Sequence, residues 1–275
     1  MIRTSIHSRI SALLLIIGVC LFAAADARAQ VAPIIIPLSQ PGKPMTLDLN
    51  MLSAKLEVIG ESRDDVSVEV SGKSSNRRIV TPSGSKPINA ASYQLKAFED
   101  GNEVLLRSSW SNSSPTVVVR VPADASLKVR VTNDSDIEVR DVRGDLDLKN
   151  VNGPITVTGA AGAVIAESIN DDVTIHYGDM RQFDASSLLS VNGTLDLGLP
   201  PSAGAEIHID TSRGEIVSDY EIEVLPPKAN VERNKRGSGT EIRVEQVIVG
   251  RIKGGGPVIL MKTLNGDVSI SDSSE

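Results

Sequence analysis

Asp145 and Asp147, and again Asp171 and Asp172, are the carboxylate pairs in this chain that could serve as a general acid and base. Glycoside hydrolysis needs two such groups several ångströms apart, one on each side of the scissile bond. Asp145 and Asp147, however, alternate with Leu146 and Leu148, which puts both acids on the wet side of a strand. His176 and His208 stand in apolar strand contexts, Ile175-His176-Tyr177 and Ile207-His208-Ile209. A hydrolytic triad or a histidine metal site needs a histidine inside a polar cluster, and neither has one in sequence. Asp134, Asp136, Asp171 and Asp172 are the acids that could gather a single ion. The Gly-Gly doublets with Asp at fixed offsets that hold calcium in β-rolls are missing. Gly254-Gly255-Gly256 runs into the strand-like Val258-Ile259-Leu260-Met261 rather than a helix, so it is no phosphate cradle. Arg143-Gly144-Asp145 matches the tripeptide that some adhesive proteins present to integrins, but it falls where a turn already calls for glycine. Asn112, Asn133 and Asn192 open Asn-x-Ser/Thr sequences, which are acceptors only in a host that glycosylates them. Trp110, Tyr93, Tyr177, Tyr220, Phe98 and Phe183 are too few to line an obvious sugar-binding cleft. No catalytic, cofactor-binding or metal-ligating residue is assigned.

The elements that would carry these residues are strands. No window sustains apolar residues at helical spacing, whereas period-two alternation recurs in Val66-Ser67-Val68-Glu69-Val70, Val117-Val118-Val119-Arg120-Val121 and Leu127-Lys128-Val129-Arg130-Val131. A corner punctuates them. Asn133-Asp134, Asn152-Gly153, Asn170-Asp171, Asn192-Gly193 and Arg213-Gly214 follow one another at separations of 19, 18, 22 and 21 residues, and Asn265-Gly266 closes the series. Most of them launch an apolar pair: Ile137 and Val139, Ile155 and Val157, Val173 and Ile175, Leu195 and Leu197, and finally Val268 and Ile270. A second corner at Gly144 and Gly162 launches Leu146 with Leu148 and Val164 with Ala166. One circuit of about 20 residues thus holds two strands and two corners. Two architectures fit. Asn-Gly between alternating strands is a strong hairpin signal, since both residues tolerate positive φ, and it would make an antiparallel meander or barrel. A parallel β-solenoid better explains the shared Asn, because circuits stacked about 4.8 Å apart set like above like and let amides form a ladder. Residues 30–125 share the strand grammar with looser spacing, and 126–275 carry the regular circuits. Two basic stretches interrupt them as expected exposed loops: 71–91, with Lys73, Arg77, Arg78 and Lys86, and 226–239, with Lys228, Arg233, Lys235 and Arg236.

Residues 1–29 have the form of a secretory signal peptide: Arg3 and Arg9, an apolar stretch from Ile10 to Ala25, and Ala27-Arg28-Ala29 before a cleavage expected at Gln30. The apolar stretch is short for a membrane span and is closed by Asp26 and Arg28. Cys20 is the chain's one cysteine and leaves with that segment, so disulfides, thiol catalysis and zinc-thiolate sites are not expected afterwards. The segment carries three Arg and one Asp, so its removal takes the formal charge from −7 to −9. An acidic exported chain has no electrostatic reason to bind nucleic acid.

The runs VPADASLKVRVTNDSDIEV (121–139), RGDLDLKNVNGPITV (143–157), IDTSRGEIVSD (209–219) and GGGPVILMKTLNGDVSI (254–270) resemble the bacterial putative-adhesin (adhesin-like) domain family of unknown function. The resemblance covers most of residues 45–272 and implies a right-handed β-helical rod, with no family catalytic residues to carry over. The expected function is that of an exported, non-enzymatic, adhesin-like scaffold or interaction module at the bacterial cell envelope. It would act in the periplasm or outside the cell, without cofactors, on an envelope protein or polysaccharide partner. The alternatives are a polysaccharide-acting enzyme built on a β-helix and an envelope-stress sensor domain that binds a protein.

Overall fold

The computed structural model describes residues 33–72, 95–108, 115–133, 135–181, 183–226, 228–236 and 239–274, with the backbone alone between 228 and 246. The expected leader at 1–29, the basic residues of 71–91, Tyr93, Trp110, Asn112 and Asp134 lie outside the described residues.

The described residues are all-β. In chain order the strands are β1 (Ile34–Pro37), β2 (Thr46–Met51), β3 (Lys55–Glu61), β4 (Asp65–Ser71), β5 (Leu95–Asp100), β6 (Glu103–Ser108) and β7 (Thr116–Pro122). Then follow β8 (Ser126–Val131), β9 (Ile137–Arg140), β10 (Leu146–Asn150), β11 (Ile155–Ala160), β12 (Val164–Ser168), β13 (Val173–Tyr177), β14 (Ala185–Leu189) and β15 (Leu195–Leu199). The last are β16 (Ala205–Thr211), β17 (Ile216–Ser218), β18 (Glu223–Val224), β19 (Lys228–Arg236), β20 (Gly239–Ile252), β21 (Val258–Thr263) and β22 (Val268–Asp272). They form two large, mostly parallel sheets. Sheet A runs β1-β4-β7-β3-β9-β11-β13-β15-β22-β17, and sheet B runs β18-β20-β16-β21-β14-β12-β10-β8-β2-β6-β5.

From β8 to β15 consecutive strands alternate between the two sheets, so each tier of the molecule contributes one strand to each. Parallel pairing then sets like on like: Ile137, Ile155, Val173, Leu195 and Val268 form one column of sheet A, and Val139, Val157, Ile175, Leu197 and Ile270 the next. All ten are at most 1% exposed. A buried aliphatic side chain contributes roughly 1.5–3 kcal/mol, so the alternating pairs read from sequence supply the core. Leu146 and Leu148 with Val164 and Ala166 do the same in sheet B.

The stacking order departs from chain order at both ends. β2 and β3 lie inside the stack, between β6/β7 on one side and β8/β9 on the other. β21 and β22 likewise insert between β14/β15 and β16/β17. Antiparallel strands finish the ends: β4 on β7, β1 on β4, β5 on β6, β20 on β16 and β18 on β20. The stretch expected as a loop at 226–239 is instead a hairpin. β19 pairs antiparallel with β20 from Lys228 opposite Val247 to Arg236 opposite Gly239.

One edge of the stack is built from four-residue corners: Asn150-Val151-Asn152-Gly153, Ser168-Ile169-Asn170-Asp171, Ser190-Val191-Asn192-Gly193, Thr263-Leu264-Asn265-Gly266 and Thr211-Ser212-Arg213-Gly214. The first residue of each donates its side-chain hydrogen bond to the corner carbonyl of the tier below. Asn150 Nδ2 reaches Ser135 O (2.6 Å), Ser168 Oγ reaches Gly153 O (3.1 Å), and Ser190 Oγ reaches Asp171 O (3.0 Å). Thr263 Oγ1 reaches Gly193 O (3.0 Å) and Thr211 Oγ1 reaches Gly266 O (3.1 Å). The third residues form the amide ladder that the shared Asn predicts: Asn170 Nδ2 to Asn152 Oδ1 at 2.7 Å, Asn192 to Asn170 at 3.2 Å, and Asn265 to Asn192 at 2.8 Å.

The glycines in the fourth place correct the sequence reading. That reading expects positive φ at these corners, but only Gly153 has it (φ 142°), and none of the four ladder asparagines does. What requires glycine is closeness: a Cβ on Gly153, Gly193, Gly266 or Gly214 would overlap the carbonyl oxygen of Ser135, Asp171, Gly193 or Gly266 respectively. Ser135 and Asp171 hold the same place without being glycine.

Gly193→Ala should therefore lower the unfolding free energy by about 1–3 kcal/mol through overpacking alone. An unchanged thermal midpoint would refute the carbonyl contact. Thr263→Val keeps the shape but leaves the Gly193 carbonyl without its donor and should cost about 1–3 kcal/mol. Asn150 is 3% exposed and its Oδ1 has no partner, so Asn150→Ser, which restores the hydroxyl used in the neighbouring tiers, should match or exceed the parent in denaturant melts.

Candidate interaction surface

Of the acids singled out in the sequence, Asp145, Asp171 and Asp172 hold corners, and Asp267 does the same in a further tier. Asp145 Oδ1 accepts from the Ala163 amide (3.0 Å), Asp172 Oδ1 from Thr194 (2.7 Å) and Asp267 Oδ1 from Glu215 (2.8 Å), each joining one tier to the next. Asp171 Oδ1 accepts from the following amide, that of Asp172 (3.0 Å). Asp147 meets Arg130 at 3.1 Å, and Asp136 meets Lys55 at 3.3 Å. Among the described residues no group of three or more His, Cys, Asp or Glu is placed to hold a metal ion.

Arg143-Gly144-Asp145 sits at a corner where a Cβ on Gly144 would overlap the Ala125 carbonyl. Arg143 Nη2 lies 3.4 Å from Asp124, which also takes Arg181 at 2.9 Å. A recess of about 400 Å³ opens beside it, lined in part by Lys43, Arg63, Asp64 and Asp124. Arg63 there is already paired with Asp65 (2.6 Å) and Glu61 (3.3 Å). Gly254 and Gly255 adopt φ of 84° and 96° and turn the chain from β20 into β21, and a Cβ on Gly256 would overlap the Gly204 carbonyl.

His176 and His208 are half-buried on outer sheet faces. His176 Nε2 lies 3.0 Å from Asp196, whose other oxygen accepts from Ser269 Oγ at 2.7 Å. The serine thus bonds the acid and not the imidazole, which is not the order of a hydrolytic triad. His208 Nε2 lies 2.9 Å from Glu206, and Arg251 Nε lies 3.3 Å from the same carboxylate. The bond from His208 is the main cause that holds the Glu206 carboxyl below its usual range; burial opposes it, and the bond and charge of Arg251 add to it. Burial pushes the Tyr177 phenol up to about 12, against the bond it shares with Ser186 Oγ at 2.9 Å. With Phe183 stacked on its ring, it fills the interior rather than a site.

The outer sheet faces are largely self-satisfied by ion pairs: across tiers, Lys149 with Glu167 (2.8 Å), Lys262 with Asp210 (2.6 Å) and Arg140 with Glu57, and within β9, Arg140 with Glu138. The corner edge is different. The second residue of each corner points outward between the buried donor and the amide ladder, and in three consecutive tiers it is a large aliphatic: Ile169 is 45% exposed, Val191 40% and Leu264 49%. The backbone fixes them in line, because the Asn192 amide donates to Ile169 O (3.0 Å) and that of Asn265 to Val191 O (2.9 Å). Val151 continues the stripe half-buried, while Thr132 and Ser212 end it in polar residues. Adjacent members stand about 4.8 Å apart, each beside one rung of the Asn ladder. Asn192, a potential glycosylation acceptor by sequence, spends its amide on that ladder. The sequence held a signal for the stripe in the pattern Ser/Thr/Asn-aliphatic-Asn-Gly/Asp, whose second place goes unnoticed when only the Asn-Gly dipeptide is scored.

No protein-family description matches the chain, and no curated protein matches it. Among solved structures, a "putative cell adhesion protein" from Clostridium sporogenes ATCC 15579 aligns with a TM-score of 0.46 at 11% identity, covering 87% of this chain and 97% of that one. A "putative adhesin" from Bacteroides fragilis NCTC 9343 aligns with a TM-score of 0.35 at 9% identity, covering 90% and 98%. Neither score reaches the level at which a shared fold is established.

Proposed function

We propose that this chain is an exported, adhesin-like interaction module of the bacterial envelope, non-enzymatic, with its tiers stacked as a β-solenoid that presents a straight edge to a partner. The observation that carries this reading is the stripe of Ile169, Val191 and Leu264 beside the ladder of Asn152, Asn170, Asn192 and Asn265. Single exposed aliphatics are ordinary on a protein surface, but an aligned row marks a contact surface. The carboxylates and histidines that could do chemistry are engaged in holding tiers and sheet faces together, which supports a binding role over a hydrolytic one. The apolar segment with Ala27-Arg28-Ala29 at its end supports export, with the working chain starting at Gln30.

Two measurements test this. Ile169→Lys combined with Val191→Lys should weaken retention of the full chain on isolated envelopes of the producing organism by tenfold or more, since each aliphatic buried in a contact contributes roughly 1.5–3 kcal/mol. Both residues are exposed, so the thermal midpoint should hold. Unchanged retention sinks the stripe as the contact surface, and release of soluble oligosaccharides from the envelopes would establish the enzyme instead. Mass spectrometry of the exported chain should place its first residue at Gln30; an intact first segment would refute cleavage.

A further inference from the structure

Among the described residues β19 pairs with β20 and with no other strand, and β20 meets β16 only from Ile248 onward. β20 runs antiparallel to β16, with Ile248 opposite Ile209. Its residues 239–247 therefore extend past the C-terminal end of β16, where the chain turns the corner Thr211-Ser212-Arg213-Gly214. The β19/β20 ribbon thus leaves the stack on its corner edge. Nine opposed residues run from Lys228/Val247 to Arg236/Gly239, which at about 3.4 Å per residue is a reach of roughly 30 Å. A two-stranded hairpin by itself is marginal in water, and a surface against one of its faces is what stabilises it.

Register divides the ribbon's residues between two faces, since opposed residues of an antiparallel pair share a side and neighbours along each strand alternate. One face holds the pairs Ala229/Gln246, Val231/Val244, Arg233/Ile242 and Lys235/Thr240. The other holds Glu232, Glu241 and Glu245, every carboxylate of the ribbon, with Lys228, Arg236 and Arg243 to balance them. The division is uneven. The first face carries two cations, Arg233 and Lys235, without any acid, and places them beside Val231, Val244 and Ile242.

We infer that this first face seats the ribbon on an anionic phospholipid surface. A bilayer boundary offers phosphate oxygens next to an apolar layer, which is the combination that two cations beside three aliphatics call for. An acidic polymer would answer Arg233 and Lys235 but leave the aliphatics in water. An uncharged apolar partner would cover the aliphatics but bury both cations without a counter-charge. The chain as a whole opposes such a contact, since its formal charge is −9 once the leader's +2 is taken from −7. The reach of the ribbon meets that difficulty. Its outer half lies farther from the stack than the Debye length of about 8 Å at physiological ionic strength, so the acidic body is largely screened from the surface that Arg233 and Lys235 approach. The inference does not depend on the aliphatic stripe, and separate assays read the two surfaces.

Flotation of the exported chain with protein-free vesicles tests this. It should bind vesicles of one part phosphatidylglycerol to three parts phosphatidylcholine, fail to bind phosphatidylcholine alone, and come off in high salt. Arg233→Gln with Lys235→Gln should weaken binding by roughly tenfold or more, whereas Lys228→Gln with Arg243→Gln, the same loss of charge from the other face, should change it by less than about threefold. Val231→Ser with Val244→Ser should weaken it by roughly fivefold or more. Ile169→Lys with Val191→Lys, in the stripe, should bind the vesicles no more weakly than the parent. Failure to bind the mixed vesicles, equal losses from the two cation pairs, or retention on polyphosphate beads as tight as on vesicles would each overturn the inference. So would a Val231→Ser, Val244→Ser chain whose thermal midpoint falls while its vesicle binding holds, because the aliphatics would then serve the chain's own interior. Vesicle binding as expected, together with unchanged envelope retention of the stripe variants, would sink the stripe and leave the ribbon standing.

Discussion

The carbonyl at each corner sets the terms for the rest of the molecule. Where the chain passes from sheet B to sheet A, it leaves a peptide oxygen facing the next tier, and a buried unpaired carbonyl costs about 1–3 kcal/mol. Ser168, Ser190, Thr263 and Thr211 answer it with a hydroxyl and Asn150 with an amide, all from the last strand residue of sheet B or the residue just after it. The same approach leaves no room for a side chain on Gly153, Gly193, Gly266 and Gly214. Donor and glycine are thus two consequences of one spacing. With both met, the tiers come close enough for the aliphatic columns of the two sheets to stack in register. The residue between donor and ladder is left with no inward place, so its exposure follows from the corner.

That constraint also accounts for much of the apparent chemistry. A parallel stack leaves a backbone N–H to satisfy at the start of each sheet-A strand, and Asp172 and Asp267 accept it across the tier, as Asp145 does at the start of a sheet-B strand. A carboxylate gathered for that purpose resembles half of a catalytic pair when only its sequence neighbours are considered. Asp196 between His176 and Ser269 is the nearest approach to a working constellation. Its geometry is that of three outward side chains on adjacent strands, settled against one another on the surface of sheet A.

The all-β class, the apolar pairs and the Asn ladder were legible because they depend on alternation and on like stacking over like, both local properties of the sequence. The reason for the glycines was not legible, since Asn-Gly predicts a positive φ from the dipeptide, whereas the structure requires the absence of a Cβ against a residue some 20 positions away. The buried donors were hidden for a related cause. Ser168, Ser190 and Thr263 at the end of a strand look like ordinary turn formers, and only their partners identify them as interior groups. The hairpin of β19 and β20 was masked by its composition, because Lys, Arg, Asn and Glu on a two-stranded ribbon resemble the composition of a solvated loop.

Stacking order was the least legible feature, and its reason is physical. Every tier offers the same two columns of Val, Ile and Leu, so the core energy of a tier hardly depends on which tier lies beside it. Placing β2 and β3 between β6/β7 and β8/β9, or β21 and β22 between β14/β15 and β16/β17, buries the same kind of surface as sequential stacking would. What changes is what remains at the ends. Sequential stacking would leave the first and last parallel strands of the chain as open edges. With those tiers inserted, the outermost positions fall to antiparallel strands, β1, β5 and β18, and to the three-residue β17. Short, proline-flanked or antiparallel strands are poor templates for indefinite addition. The interleaving therefore limits growth of a stack whose interior, by its uniformity, would accept another tier at any point.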